Sequence, residues 1–277
     1  MRLFAVSITR VSRESCCPRY FLPFPALTTF DIIVGCLRLS HKYEVDYLRR
    51  RALIHLSSRY RTTLAEFDSS SSGDSSRGQR PSETIVSWPI SHKARTGFYI
   101  YAIHLAREVD ALWVLPHAFY CLSSCFPNVI AGEISSGGVY DGAPTTLSVQ
   151  DEGSFLQGHA IQTRAATKDI AKIFTRHLDI KGCSSQLNCY RVRLQAIEDS
   201  REMIHDSSPT PLNIQGEVDD LESLLWHLCP KCLNLLKRAH AEARQKLWDA
   251  LPSMYQLPSW AELKKMKVAA IGNSLLC

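Results

Sequence analysis

Phe30-Asp-Ile-Ile-Val-Gly-Cys-Leu-Arg-Leu-Ser-His-Lys-Tyr-Glu-Val-Asp-Tyr-Leu-Arg-Arg-Arg-Ala52 reads as two short helices meeting at Ser40-His-Lys-Tyr43. Ile33, Cys36, Leu37 and Leu39 line one face of the first. Val45, Leu48, Ala52 and Leu56 follow at steps of three, four and four on the second. Two such stripes have a use only if they are covered, so this segment predicts a helical hairpin that buries a shared apolar seam. Working outward, strict two-residue alternation is scarce, and most of the remaining apolar positions recur at helical spacing. The fold class expected is therefore mainly α, with one long Gly/Pro/Ser-rich loop over residues 127–147 and a short hairpin as its most structured part.

Composition bounds the rest. The chain has 277 residues, 45% of them hydrophobic and 21% charged, which is enough for one large core or two modest ones. The net charge is +5, and the longest basic run is Arg49-Arg50-Arg51. Three consecutive arginines cannot share one helix face, so a solvated face is expected there and nucleic acid is not expected as a partner. No 18-residue apolar window exists, which argues against a transmembrane helix and a membrane partner. Residues 1–28 have an apolar run too short for a secretory signal. Their arginines, Arg2, Arg10, Arg13 and Arg19 against Glu14, only weakly resemble a mitochondrial leader. That segment is expected to be an unstructured or misassigned start. An intracellular location follows, cytoplasmic or nuclear, and with it the expectation that the ten cysteines are core thiols or metal ligands and not disulfides.

Residues 68–82, Asp-Ser-Ser-Ser-Ser-Gly-Asp-Ser-Ser-Arg-Gly-Gln-Arg-Pro-Ser, have too little apolar surface to offset the entropy of ordering. They predict a flexible linker between the helical pair (29–67) and a helical domain (83–277). In that domain, helices are expected from Ile100 to Val109 and from Leu115-Pro116 through Leu122, with proline in the first turn. Ser148 followed by Asp151 marks another start, opening a helix that runs to Leu178 with a break near Ala165-Ala166-Thr167. Further helices are expected over Cys189–Met203 and over Val218–Leu228, the latter interrupted by Pro230. The pattern resumes through Leu233–Leu247. Pro252 and Pro258 bracket a turn before a last helix, Trp260–Ala270. The five tryptophans, Trp88, Trp113, Trp226, Trp248 and Trp260, read as core anchors.

The most specific chemical feature is Cys229-Pro-Lys-Cys232. Two thiolates separated by two residues can grip one zinc ion at Zn–S bonds of about 2.3 Å. Cys183 and Cys189 could complete a four-cysteine site, although their five intervening residues exceed the usual two to four; His227 and His240 are alternative ligands. The alternative reading makes these cysteines small buried residues closing helix ends. A metal held by four thiolates would be structural, since no coordination position stays open. Cys121 and Cys125, one helical turn apart among apolar neighbours, read as core. Cys16-Cys17 are adjacent and bind metal poorly. No glycine-rich elbow marks a nucleophile, and Gly137-Gly138 is no phosphate cradle. The acidic pairs Glu108/Asp110 and Asp219-Asp220 read as helix-surface charges. No catalytic residue is assigned, and an enzyme is not expected.

The pattern Leu37-x-Leu39-x-x-Lys42-Tyr43-x-Val45-x-x-Leu48 resembles the last two helices of a BTB/POZ domain, a protein-interaction fold. Leu105–Val109, Trp113–Pro116, Ala118–Leu122, Leu147–Asp151, Phe155–His159, Asp179–Cys183, Leu247–Pro252, Leu257–Trp260 and Glu262-Leu263 resemble the region that follows the BTB domain in a large family of mushroom-forming fungi. The resemblance implies that the family's two cysteine pairs correspond to Cys183/Cys189 and Cys229/Cys232. It implies a BTB remnant, amino-terminally truncated and matching Thr29–Phe67. Dimerisation and cullin-ligase recruitment need surfaces outside that match, so homo-oligomerisation is left open. The function expected is a non-enzymatic adaptor with an unidentified protein partner. The alternative is a zinc-stabilised helical domain in nuclear regulation that binds nucleic acid.

Overall fold

The computed structural model describes residues 21–71, 88, 95–125, 132, 134, 136–175, 181–206, 210–212 and 227–272. Over these the protein is mainly α. Nine helices are present among the described residues: α1 (Phe30–Lys42), α2 (Asp46–Ser57), α3 (Leu64–Ser71), α4 (Arg95–Glu108), α5 (Leu115–Ser123), α6 (Val149–Thr175), α7 (Gln186–Asp206), α8 (Pro230–Met254) and α9 (Trp260–Ile271). A 3-10 turn, Leu112–Val114, precedes α5, and a two-stranded hairpin pairs β1 (Gly138–Tyr140) with β2 (Ala143–Thr145). None of the described helices is long and apolar enough to cross a membrane.

The chain divides into two compact units, one of residues 1–118, 138–147 and 257–277, the other of residues 119–137 and 148–256. This differs from the expected split at the serine-rich segment. The reason is long-range packing: α9, the last helix, returns to α2 and to the Leu112–Val114 turn, and a linear reading of the chain cannot show such a return. The serine-rich segment also begins differently, because α3 extends through Asp68–Ser71; residues 72–82 lie outside the described residues, as do 1–20.

In the first unit, the α1–α2 hairpin forms as the apolar spacing dictates. Thr29 caps α1 by accepting the Ile32 N–H. Helix α1 continues through Ser40, His41 and Lys42, so the reversal falls at Tyr43–Val45 with Glu44 at φ +54°, later than Ser40–Tyr43. Ile33, Cys36, Leu37, Ala52 and Leu56 are buried, while Leu39, Val45 and Leu48 are half-buried. The seam is thus covered within its own unit. Phe30 packs its ring on Trp88 and Phe98 at centroid distances of 5.0 and 4.8 Å. Trp88 donates from Nε1 to the His55 carbonyl at 2.8 Å, and Trp113 donates to Ser57 Oγ at 2.9 Å. Both tryptophans anchor the core as their size predicts. Part of the expected unstructured start is fixed here too. Phe21 is buried, and the Phe21 and Leu22 carbonyls accept from Arg51 and His55.

The expected loop carries the hairpin. Asp141 and Gly142 both have positive φ, as a tight two-residue connection requires. Gly97 on α4 lies against the Val139 carbonyl of β1, and a Cβ there would meet that oxygen at 2.5 Å. A backbone oxygen cannot swing aside, so Gly97→Ala is expected to destabilise the protein by about 1–3 kcal/mol. Gly153→Ala, on open helix surface, should stabilise by about 0.5–1 kcal/mol. Urea midpoints of the two variants should move in opposite directions; movement in the same direction contradicts the contact.

In the second unit, α6 packs on α7 and α8. Ser148 caps α6: its Oγ accepts the Asp151 N–H at 3.1 Å and donates to the Asp151 carboxylate at 2.9 Å. The helix runs unbroken through Ala165-Ala166-Thr167, because two alanines sustain helix well and nothing there breaks it. Helix α7 covers the expected Cys189–Met203. Pro230 opens α8 at its first position, with Cys229 as N-cap, where the missing N–H costs nothing. Residues 213–226, including the expected Val218–Leu225 stretch and Trp226, lie outside the described residues. Pro252 does not open the expected turn but sits buried inside the last turn of α8, which ends at Met254; there it brings no N–H to the helix ladder. Tyr255 stacks on Phe119 at 5.0 Å and donates to Gln162 Oε1 at 2.7 Å. Gly158 leaves room for the Tyr255 ring, which a Cβ would strike.

Candidate metal centre

The start of α7, the start of α8 and the turn before α7 place four sulfurs together in the second unit. Cys229 is the N-cap of α8 and Cys232 lies in its first turn, so Pro230, by fixing the entry φ, presets the spacing of this pair. Cys189 is on the first turn of α7, and its N–H bonds the Ser185 carbonyl. Cys183 follows Gly182, whose φ of +81° turns the chain back toward α8. Asn188 donates from Nδ2 to the His227 carbonyl at 2.9 Å, tying the approach to Cys229 to the first turn of α7.

The resulting geometry is compact. Cys183 Sγ is 3.8 Å from Cys229 Sγ and 3.5 Å from Cys232 Sγ. All four sulfurs lie within 4.8 Å of one another. Tetrahedral sulfurs on bonds of about 2.3 Å would stand about 3.8 Å apart, so the set is close to the size of a four-thiolate metal site. Cys189, Cys229 and Cys232 are buried and Cys183 is half-buried. The wall around them is apolar: Val192, Ala196, Leu228 and Leu236.

Electrostatics sharpen the picture. The Cys229 N–H donates to Cys189 Sγ at 3.3 Å. The Cys229 thiol is itself pulled down to about 5, chiefly by the Cys232 and Ser184 N–H groups; a helix N-terminus favours a thiolate in the same way. Burial pushes Cys189 and Cys232 up. One sulfur can thus be anionic by itself, whereas four adjacent thiolates require a cation. A closed set of four sulfurs with N–H donors aimed at them suits a soft or borderline divalent ion.

The structure brings together the four cysteines named from spacing and no other ligand among the described residues. His227 is exposed and His240 half-buried, and neither joins the group. Cys121 and Cys125 are half-buried at the end of α5, with Cys125 Sγ 3.5 Å from the Cys121 carbonyl. Cys16-Cys17 and Asp219-Asp220 lie outside the described residues. Glu108 is held by Arg38 through three contacts of 2.9–3.1 Å, and Asp110 occupies a positive-φ turn. Gly138 opens a strand.

The Arg49-Arg50-Arg51 triplet departs from the expected solvated face. Arg49 donates to the Val109 carbonyl at 2.9 Å, Arg50 to Ile271 at 3.2 Å and Arg51 to Phe21 at 2.8 Å. Val109 and Ile271 stand at the ends of α4 and α9. Two of the arginines therefore satisfy helix-terminal carbonyls and complement the negative end of the dipole. Sequence reasoning missed two further arrangements. Ser123 Oγ is 2.8 Å from His159 Nδ1, but Ser123 is fully buried, which closes it to a substrate and makes the pair a polar staple. The other is Arg193, which is buried one helical turn after Cys189; its spacing from Cys189 was the available signal.

Compared with protein-family models, with curated proteins and with solved structures, the chain matches none.

Proposed function

We propose that this protein is a non-catalytic adaptor of the BTB/POZ kind, acting through protein–protein contacts, whose second unit is stapled by a structural zinc ion on Cys183, Cys189, Cys229 and Cys232. The observation that carries the reading is the approach of all four sulfurs to within 4.8 Å of one another in an apolar shell. A metal bound by four thiolates has no open position for water or substrate, so it organises the fold and performs no reaction. Helices α1 and α2 support the adaptor half of the reading. They adopt the paired-helix form that the BTB-like motif implies, and their seam is ordered by the first unit.

Elemental analysis of the purified chain tests the metal half. One equivalent of zinc per chain is expected, released in proportion to thiols titrated by a mercurial. Zinc at background level in protein purified under reducing conditions would end the reading. The same preparation, mixed with random duplex DNA at low salt, is expected to show no salt-steep binding. Such binding would favour a nucleic-acid role, which the engaged arginine triplet does not suggest.

A further inference from the structure

We propose that Arg193 is the counter-charge of the metal centre, a positioning residue whose guanidinium stabilises the four-thiolate complex; this rests on the zinc reading of the four cysteines. Arg193 is 2% exposed. It lies on the face of α7 that also carries Cys189 and Ala196, and Cys189, Val192 and Ala196 belong to the same buried cluster. Beside the burial that lowers its pKa, the guanidinium lies within electrostatic reach of Cys232, Cys189 and Cys183, which come from three separate stretches of chain.

Charge arithmetic gives this placement its meaning. Four thiolates around a divalent ion leave two net negative charges in an apolar shell. Burying a dianion without compensation is costly, and so is burying a guanidinium without an anion. Placed together, each lowers the cost of the other. N–H donors such as that of Cys229 toward Cys189 spread the charge over the sulfurs, but they carry no net charge. Arg193 carries a full positive charge and is buried one helical turn after Cys189, on the α7 face that carries the cluster. Groups outside the ligand set that tune a metal site typically change its affinity by about 10–100-fold when removed.

The test is competition of the purified chain against a chromophoric chelator for zinc, together with the visible spectrum of the cobalt-substituted protein. Arg193→Gln is expected to bind zinc about 10–100-fold more weakly. Its cobalt spectrum should keep the sulfur-to-metal charge-transfer bands of a four-thiolate site, since all ligands remain. Arg193→Lys should recover most of the affinity by restoring the charge. A purely structural role would not produce rescue by lysine with an unchanged spectrum. If Arg193→Gln binds zinc as tightly as the parent, or if Lys and Gln weaken it equally, the counter-charge role is wrong while the zinc reading stands. If the parent chain itself binds neither metal, both fall. Should Arg193→Gln not fold, the lysine variant decides: parental affinity supports the role and a large loss overturns it.

Discussion

Replacing Cys232 with serine, or stripping metal with a strong chelator, is expected to unfold the second unit. The position of Cys232 makes it a suitable ligand to remove. It is 1% exposed, its Sγ is 3.5 Å from Cys183 Sγ, and it lies in the first turn of the helix that the cluster anchors. Without a metal, the cluster is a group of thiols at the meeting point of three chain segments, with Val192, Leu228 and Leu236 around it and Ile197, Leu233 and Leu235 only partly buried against it. Structural zinc contributes about 10–16 kcal/mol of apparent binding free energy in small domains, against total domain stabilities of about 5–15 kcal/mol. Loss of the ion therefore removes an amount comparable to the whole stability of the unit. The measurement is helical circular dichroism during urea unfolding, with zinc release followed in parallel. Cys232→Ser should lose zinc and most of the cooperative transition of the unit. Cys36→Ser, changing a buried thiol of α1 in the first unit, should keep one equivalent of zinc. A Cys232→Ser protein with parental zinc content and urea midpoint would refute the staple.

The parts of this structure that were legible in the sequence are those determined by local chemistry. The α1–α2 seam follows from spacings of three and four, and Ser148, followed three residues later by Asp151, announces the start of α6. Cys229 and Cys232 declare themselves because two residues between thiols is a metal-ligand spacing. Cys183 and Cys189 are nominated only as a second pair, and only folding shows that they converge on the first. What was illegible depends on distance along the chain. The return of α9 to α2 defines the first unit, yet no residue in either helix advertises it. Arg49, Arg50 and Arg51 look like surface charge until the carbonyls of Val109, Ile271 and Phe21 are brought beside them. Pro230 reads as a boundary between helical runs, and the run that follows it begins at the proline itself, where a helix start tolerates the missing N–H. Arg193 lies between these cases. Its spacing from Cys189 is local, but its meaning depends on Cys183 and Cys232, which reach it only through the fold.

The first unit is expected to lose stability as the pH falls below about 6.5, and His117 is the reason. This side chain near the start of α5 is 7% exposed, with Tyr60 and Phe67 edge-on at 6.0 and 5.5 Å. The Arg61 N–H donates to its Nδ1 at 2.9 Å, so the ring is neutral and carries its proton on Nε2. Burial, and after it the charges of Arg61 and Arg59, hold its pKa down at about 3 against an ordinary 6.5. The sign follows directly. An unfolded chain takes up a proton near pH 6.5 that the folded chain refuses, so the stabilising contribution is fully present above that pH. It fades by about 1.4 kcal/mol for each pH unit below it, toward a total of order 5 kcal/mol near pH 3. His55, also buried and held below its ordinary value, adds a slope of the same sign, as does zinc release in the second unit. A variant is therefore needed to isolate His117. In His117→Asn the amide oxygen can accept the Arg61 N–H but cannot titrate. The smaller side chain should cost about 1–3 kcal/mol at pH 7.5, and that gap should close by about pH 5 because the parent weakens faster than the variant. Urea unfolding of both proteins across pH 7.5 to 4.5 measures this difference, in which the contributions of His55 and of the metal cancel. Parallel stability curves over that range would mean that His117 accepts its proton in the folded state as readily as in the unfolded one, and that its burial against Arg61 carries no pH dependence.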